Sequence, residues 1–189
     1  MPGMWNHRQM REPIEVQVAH TADLDADTLG AARDLLDEVF GAEMDDQSWE
    51  HALGGIHALA WERGRLIGHA SVIQRRLIYR DRALRTGYVE GVAVSADRRR
   101  RGFGGAMMHE LERVIRGGYE LGALGATDDG IPFYAARGWR PWRGETWALT
   151  PSGRTRTADE DDCIYVLELE LQLDRSASLT CDWRDGDVW

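Results

Sequence analysis

The stretch Tyr88–Gly105, YVEGVAVSADRRRRGFGG, constrains the fold more than any other part of the chain. Tyr88–Val94 is apolar and valine-rich, which predicts a largely buried strand, yet it carries one carboxylate, Glu90. Ser95–Asp97 ends that strand. Four arginines and three glycines then open a helix whose apolar face begins at Met107, so free backbone N–H groups and positive charge converge on one point. A ligand bearing phosphates suits such a point.

The rest of the pattern builds around this strand and helix. Ile14–Ala19 alternates apolar with polar residues and reads as a short strand. Asp23 or Asp25 then caps a helix bearing Leu29, Leu35, Leu36, Val39 and Phe40 on one side and ending near Gly41. A short helix over 48–53 stops at Gly54-Gly55. Ile56–Trp61, a turn at Arg63-Gly64 and Leu66–Tyr79 predict a hairpin, with Ala83–Val94 as the next antiparallel strand. After the helix Gly104–Arg116 come a strand at Leu121–Leu124 and a helix from Pro132 that Gly138 ends. Trp147–Leu149 and Cys163–Leu173 predict the arms of a half-exposed hairpin, with the acidic run Asp159–Asp162 in the turn between them. The final CDWRDGDVW holds two tryptophans and three aspartates, which predicts a segment that packs back onto the fold and presents carboxylates. The fold class is α/β (α+β), a mixed, mostly antiparallel sheet flanked by helices. It is expected as a single domain over 14–189, with a loose leader over 1–13.

Composition narrows the partners. The 189 residues include no Pro/Gly/Ser-rich linker, and 43% hydrophobic residues with eight tryptophans fill one core. A net charge of −9 disfavours nucleic acid and anionic membrane and favours a cationic partner. Cys163 and Cys181 have neither ligand spacing nor a partner framework, which points to free thiols in a reducing compartment. His51, His57, His69 and His109 are scattered and read as structural histidines, so no metal is expected. Met1–Pro13 lacks a secretory pattern, and no apolar run approaches the roughly 20 residues that span a bilayer. A cytoplasmic protein is expected.

Two spacings carry chemistry. Arg99-x-x-Gly102-x-Gly104, following Val92–Val94, resembles the acetyl-coenzyme A signature of the GNAT acetyltransferases, and Tyr134-x-x-x-Gly138-Trp139 resembles their second signature. Glycines let the backbone approach a pyrophosphate closely, which is the physical reason for the first. The segments HALGGIHALAWERGRLIGHASVIQRRLIYR, LRTGYVEGVAV, FYAARGWRPW and CDWRDGDVW are similar to the actinobacterial aminoglycoside 2'-N-acetyltransferases, a likeness running from about Thr21 to the last residue.

The resemblance implies the GNAT acyltransferase fold and direct transfer of acetyl from acetyl-coenzyme A to the 2'-amine of a cationic aminoglycoside, in a ternary complex. It implies that the backbone of Val92, Ala93 and Val94 holds the pantetheine arm, and that Arg99, Arg100, Arg101, Gly102, Gly104 and Gly105 hold the pyrophosphate. It makes Tyr134 the acid that protonates the leaving thiolate. An incoming amine must lose a proton before it attacks, and Glu90 is the candidate base. The competing reading of Glu90 is a strand carboxylate facing solvent or paired with Arg75 or Arg85. On the substrate side the resemblance assigns Glu43, Glu90, Gly125, Glu160, Asp187 and the terminal carboxylate of Trp189, and it implies a homodimer joined through the C-terminal strands. Glu43 and Glu160 stand where the family often has aspartate, and Gly125 offers only backbone. Asp159, Asp161 and Asp162 read as solvated charges. The loop Asp128-Asp129-Gly130-Ile131 is acidic where a basic one is expected, which disfavours coenzyme phosphate contacts there.

Strict alternation puts Glu90, Val92 and Val94 on one face, yet the pantetheine arm needs unpaired backbone groups. A bulge near Gly91 meets that demand. Two alternatives stay open: the same fold acting on another amine, such as a polyamine, a cell-wall precursor or a peptide N-terminus, and a non-catalytic acyl-coenzyme A sensor.

Overall fold

A computed structural model describes residues 14–189, and the leader expected over 1–13 lies outside them. β1 (Val16–His20) leads to α1 (Ala26–Phe40), whose first turn is capped by the Asp25 carboxylate accepting from the Thr28 N–H at 2.8 Å. α2 (Asp46–His51) is capped in the same way by Asp45. β2 (Ile56–Glu62) and β3 (Arg65–Tyr79) form the expected hairpin, and β4 (Arg82–Val94) pairs antiparallel with β3. α3 (Phe103–Gly118) returns across the sheet to β5 (Leu121–Gly125), which runs parallel to β4. α4 (Ile131–Ala136) ends before Gly138, at φ 92°, and β6 (Arg140–Pro141) follows. β7 (Thr146–Thr150), β8 (Gly153–Arg156), β9 (Ile164–Glu168) and β10 (Leu179–Cys181) complete the sheet. Its main path runs β6-β9-β5-β4-β3-β10-β7-β8, with β2 and then β1 beside the first half of β3.

The two faces of the sheet are covered by different helices. Met107, Met108, Leu111 and Ile115 of α3 are fully buried against Ile67, Ala70 and Val72, and Leu35 and Leu36 of α1 pack with Leu59, Leu66 and Ala93. Their spacing is the helical period that the sequence displayed, and burying each such side chain contributes about 1.5–3 kcal/mol.

The site arises because β3 and β4 change partners along their length. β3 pairs with β2 up to Val72 and with β10 from Leu77. β4 pairs with β5 only over Thr86–Tyr88, after which the two strands part and β5 continues alongside β9. A wedge therefore opens between Glu90–Val92 and Gly125–Thr127. The expected bulge lies at its edge: the register passes from Ser71 opposite Glu90 to His69 opposite Ala93, so Ala70 faces two residues of β4. Gly91 has φ 57°, a left-handed conformation that costs a residue with a Cβ about 1–2 kcal/mol.

The C-terminal third departs from expectation. β9 ends at Glu168 because its neighbour β5 begins at Leu121, directly opposite; beyond it the Glu168 carboxylate accepts from the Leu173 N–H at 3.2 Å and turns the chain. Ile164–Leu167 is buried rather than half exposed, since β9 lies between β5 and β6. The expected hairpin of Trp147–Leu149 with Cys163–Leu173 does not form. β7 pairs instead with β8 and, in parallel, with β10. Asp161 is no solvated charge: it accepts from Arg156 and from the N–H and hydroxyl of Thr146, and the Arg156 bond foremost holds its carboxyl down at about 2. Among the described residues no helix is long and apolar enough to cross a membrane, and no group of three or more His, Cys, Asp or Glu could hold a metal ion.

Candidate active site

Two cavities occupy the wedge and meet within it. One, of about 510 Å³, is lined by Glu43, Glu90, Gly125, Glu160, Asp187 and Trp189, which are all the residues assigned to substrate from sequence, together with Tyr88, His51 and Arg184. The other, of about 940 Å³, is lined by Val92, Ala93, Val94, Arg98, Arg99, Arg100, Gly102, Gly104 and Gly105. Phe40, Val92, Thr127, Asp128 and Tyr134 border both. Arg101 lines neither; its guanidinium turns to Glu62 at 3.6 Å.

The second groove is built to receive an anion. Gly102 precedes α3 at φ 99°, and the first turn has no side-chain cap and no acidic residue, so the N–H groups of Phe103–Gly105 stay free. The first internal bond of this turn runs from the Ala106 N–H to the Gly102 oxygen at 3.0 Å. A Cβ at Gly104 would meet Phe133 at 3.6 Å, so the glycine keeps the helix start open to a ligand rather than relieving a clash. Asp128 and Asp129 border the same groove, so the acidic loop stands beside it.

Tyr134 sits where the cavities join. α4 is short, and its position depends on a buried brace: Glu112 of α3 accepts from Arg137 at 2.7 and 2.9 Å and from the Trp139 indole at 3.0 Å. Burial pushes the Tyr134 hydroxyl up to about 12, so it carries its proton at neutral pH.

The tail closes the first cavity. Buried Arg75 of β3 holds it through the Asp182 carboxylate at 2.8 Å and the Val188 oxygen at 2.7 Å, and the Trp189 indole donates to Thr157 at 2.9 Å. Within the cavity Arg184 is the organising cation. Its guanidinium meets Glu90 at 2.5 Å, donates through Nε to the Asp187 oxygen at 2.8 Å, and also bonds the backbone oxygen of Trp189. Glu90 thus pairs with neither Arg75 nor Arg85, and it does not simply face solvent, since 16% of its side chain is exposed. Burial raises its pKa, opposed chiefly by Arg184. Burial, with Asp187 and Asp159 nearby, also raises that of Glu160. Burial and the Arg184 charge lower that of His51.

Sequence reasoning missed Arg184, although it stands among the aspartates of the terminal segment already singled out. It also missed Tyr88, whose ring lies 4.8 Å from the Arg75 guanidinium and 5.6 Å from that of Arg184. Cys163, read only as a free thiol, borders the first cavity next to Glu160.

Comparison with known proteins agrees with this architecture. Residues 21–142 match the family model described as the acetyltransferase (GNAT) domain. The chain is 51% identical over 177 residues to an aminoglycoside 2'-N-acetyltransferase of Mycolicibacterium fortuitum, covering 92% of this chain and 91% of that protein. Among solved structures it is similar to Escherichia coli ElaA (TM-score 0.59, 21% identity, 82% of this chain and 100% of that chain). It is also similar to an acyl-CoA N-acyltransferase from Pseudomonas aeruginosa (TM-score 0.58, 17% identity, 82% and 99%). At those identities the two structures speak for the fold alone. The chain is an acetyltransferase of the GNAT family and belongs, within it, with the M. fortuitum aminoglycoside 2'-N-acetyltransferase.

Proposed function

We propose that this chain acetylates the 2'-amine of aminoglycosides, with acetyl-coenzyme A as donor. The observation that carries the reading is the meeting, at Tyr134, of a groove suited to phosphates and a cavity rimmed by carboxylates. The residues of the groove fit the coenzyme: the open first turn of α3 and Arg99 and Arg100 suit its phosphates, and the free edge of β4 over Val92–Val94 suits its amide arm. Acetyl-coenzyme A supplies the acetyl group as an activated thioester.

The chain's own groups do the remaining work. Glu43, Glu160 and Asp187 attract and orient a polycation. Glu90 receives the proton of the acceptor ammonium at a carboxylate oxygen, and its raised pKa strengthens it as a base. The Tyr134 hydroxyl holds a proton to give to the departing sulfur. The homodimer through the C-terminal strands remains part of the proposal, and light scattering on the purified protein tests it.

Thiol release from acetyl-coenzyme A, followed over a panel of aminoglycosides, decides the main reading. Compounds with a free 2'-amine should turn over, and those with a 2'-hydroxyl should not. Equal rates on both would overturn the regiochemistry. Turnover only with polyamines or peptides would favour an enzyme of the same fold with another acceptor.

A further inference from the structure

A line of three hydrogen bonds outside both cavities ends on the bulge of β4. Thr21 Oγ1 lies 2.8 Å from His57 Nε2, His57 Nδ1 lies 2.9 Å from His69 Nε2, and His69 Nδ1 lies 2.8 Å from the Gly91 oxygen. Both histidines are fully buried. Their tautomers follow from their partners. The Gly91 oxygen can only accept, so His69 carries its proton on Nδ1. Neutral His69 then accepts at Nε2, His57 donates from Nδ1, and His57 Nε2 accepts the Thr21 hydroxyl. Thr21 Oγ1 already accepts from the Gly54 N–H at 2.9 Å, and its shorter contact is to His57 rather than to the Gly55 oxygen at 3.3 Å. Burial depresses both imidazoles to about 4, which keeps them neutral as this pattern requires.

The relay acts on one peptide plane. A Cβ built on Gly91 would lie 3.3 Å from both the His69 ring and Leu36, so His69 approaches from the side of α1. No cis peptide is present among the described residues, and a trans peptide points its C=O and N–H in opposite directions. Drawing the Gly91 oxygen toward His69 therefore turns the Val92 N–H away from α1's Leu36. Val92 borders both cavities.

We propose that Thr21, His57 and His69 form a positioning relay that fixes the Gly91–Val92 peptide so that the Val92 N–H faces the junction of the two cavities. The proposal rests on the acetyltransferase reading above. None of the three side chains lines either cavity, so they act through the backbone and not on the reactants. A backbone donor held in place before the ligand arrives costs no reorganisation during the reaction.

Two measurements on the full chain test it. His69→Leu removes the donor to Gly91, and kcat should fall roughly 10- to 100-fold, less than the roughly 100- to 1000-fold cost of losing a fixed donor outright because the Val92 N–H is loosened and not removed, while KM for the aminoglycoside changes little. His69→Asn keeps an N–H near the place of Nδ1 and should recover much of kcat. Unchanged kcat in a folded His69→Leu, or equal losses in the Leu and Asn variants, overturns the relay. Nitrogen-15 NMR of the wild-type histidines reads the tautomers without reference to activity or to the folding of variants. Nδ1–H on both His57 and His69 is the result expected, and Nε2–H on either one overturns the proposal. A wild type that acetylates no amine would sink the acetyltransferase reading, while the tautomers would still decide whether the relay exists.

Discussion

Replacing Arg184 by methionine keeps an apolar stem of similar reach and removes the guanidinium that meets Glu90 at 2.5 Å. Burial raises the Glu90 pKa, and Arg184 is the largest influence pulling it back. An opposite charge in contact lowers a carboxylate pKa by about 1–3 pH units, so removing it moves the pKa upward by that amount. In the proposed role Glu90 accepts a proton only when ionised, so activity should rise with pH through its pKa. The acid limb of kcat/KM should move to higher pH by about 1–3 pH units, and below the limb each pH unit costs about tenfold in rate. The tail also loses its bonds to the oxygens of Asp187 and Trp189, so KM for the aminoglycoside should rise more than KM for acetyl-coenzyme A. The assay is thiol release across pH at saturating acetyl-coenzyme A, with Arg184→Lys retaining the charge and Glu90→Gln removing the titrating group. An unmoved acid limb in folded Arg184→Met refutes the coupling, and an intact limb in Glu90→Gln refutes the assignment of the base.

Glu112→Ala should destabilise the fold strongly, because Arg137 and the Trp139 indole lose a carboxylate that is only 4% exposed. Breaking a buried pair from one side costs about 3–5 kcal/mol. For a chain of this size each kcal/mol lowers Tm by about 2–4 °C, so scanning calorimetry should show a drop of at least about 6 °C. The buried histidines should make the fold acid-sensitive. Their folded pKa values of about 4 lie below the ordinary 6.5, so the stability they contribute is present above pH 6.5 and is lost as pH falls toward 4. At about 1.4 kcal/mol per pH unit, protonating the first ring costs on the order of 3 kcal/mol. Urea unfolding at pH 7 and pH 5 should therefore show a smaller pH difference in His57→Gln than in the wild type, and an identical difference would count against the assignment.

What the sequence made legible was whatever depends on neighbours along the chain. Helical spacing identified the buried stripe of α3, and Gly138 marked the end of α4. The conflict between alternation and a free strand edge located the bulge at Gly91. Glu90 and Tyr134 could be singled out because each sits inside a local motif, and both line the first cavity. The C-terminal third was misread because alternation in Cys163–Leu173 records which side chains are apolar, not which strand lies alongside. β9 stops at Glu168, opposite the start of β5 at Leu121, so its end coincides with the limit of a strand distant in sequence.

The same reasoning explains why Arg184 and the histidines stayed hidden. Glu90 and Arg184 are 94 positions apart, and His69 and Gly91 are 22 apart, so each pairing exists only after the sheet has formed. Read singly, Arg184 is one more arginine and His69 one more apolar-face histidine. Once β4 parts from β5 and the tail closes over the wedge, the first becomes the counter-ion of Glu90 and the second a fixed donor to the bulge. Both converge on Glu90–Val92, a part of β4 that is free of β5 and borders the first cavity. A strand segment released from one neighbour must be held by something else to keep a defined shape, because an unpaired backbone near solvent has alternatives. Arg184 constrains its side chain at Glu90, and His69 constrains its backbone at Gly91.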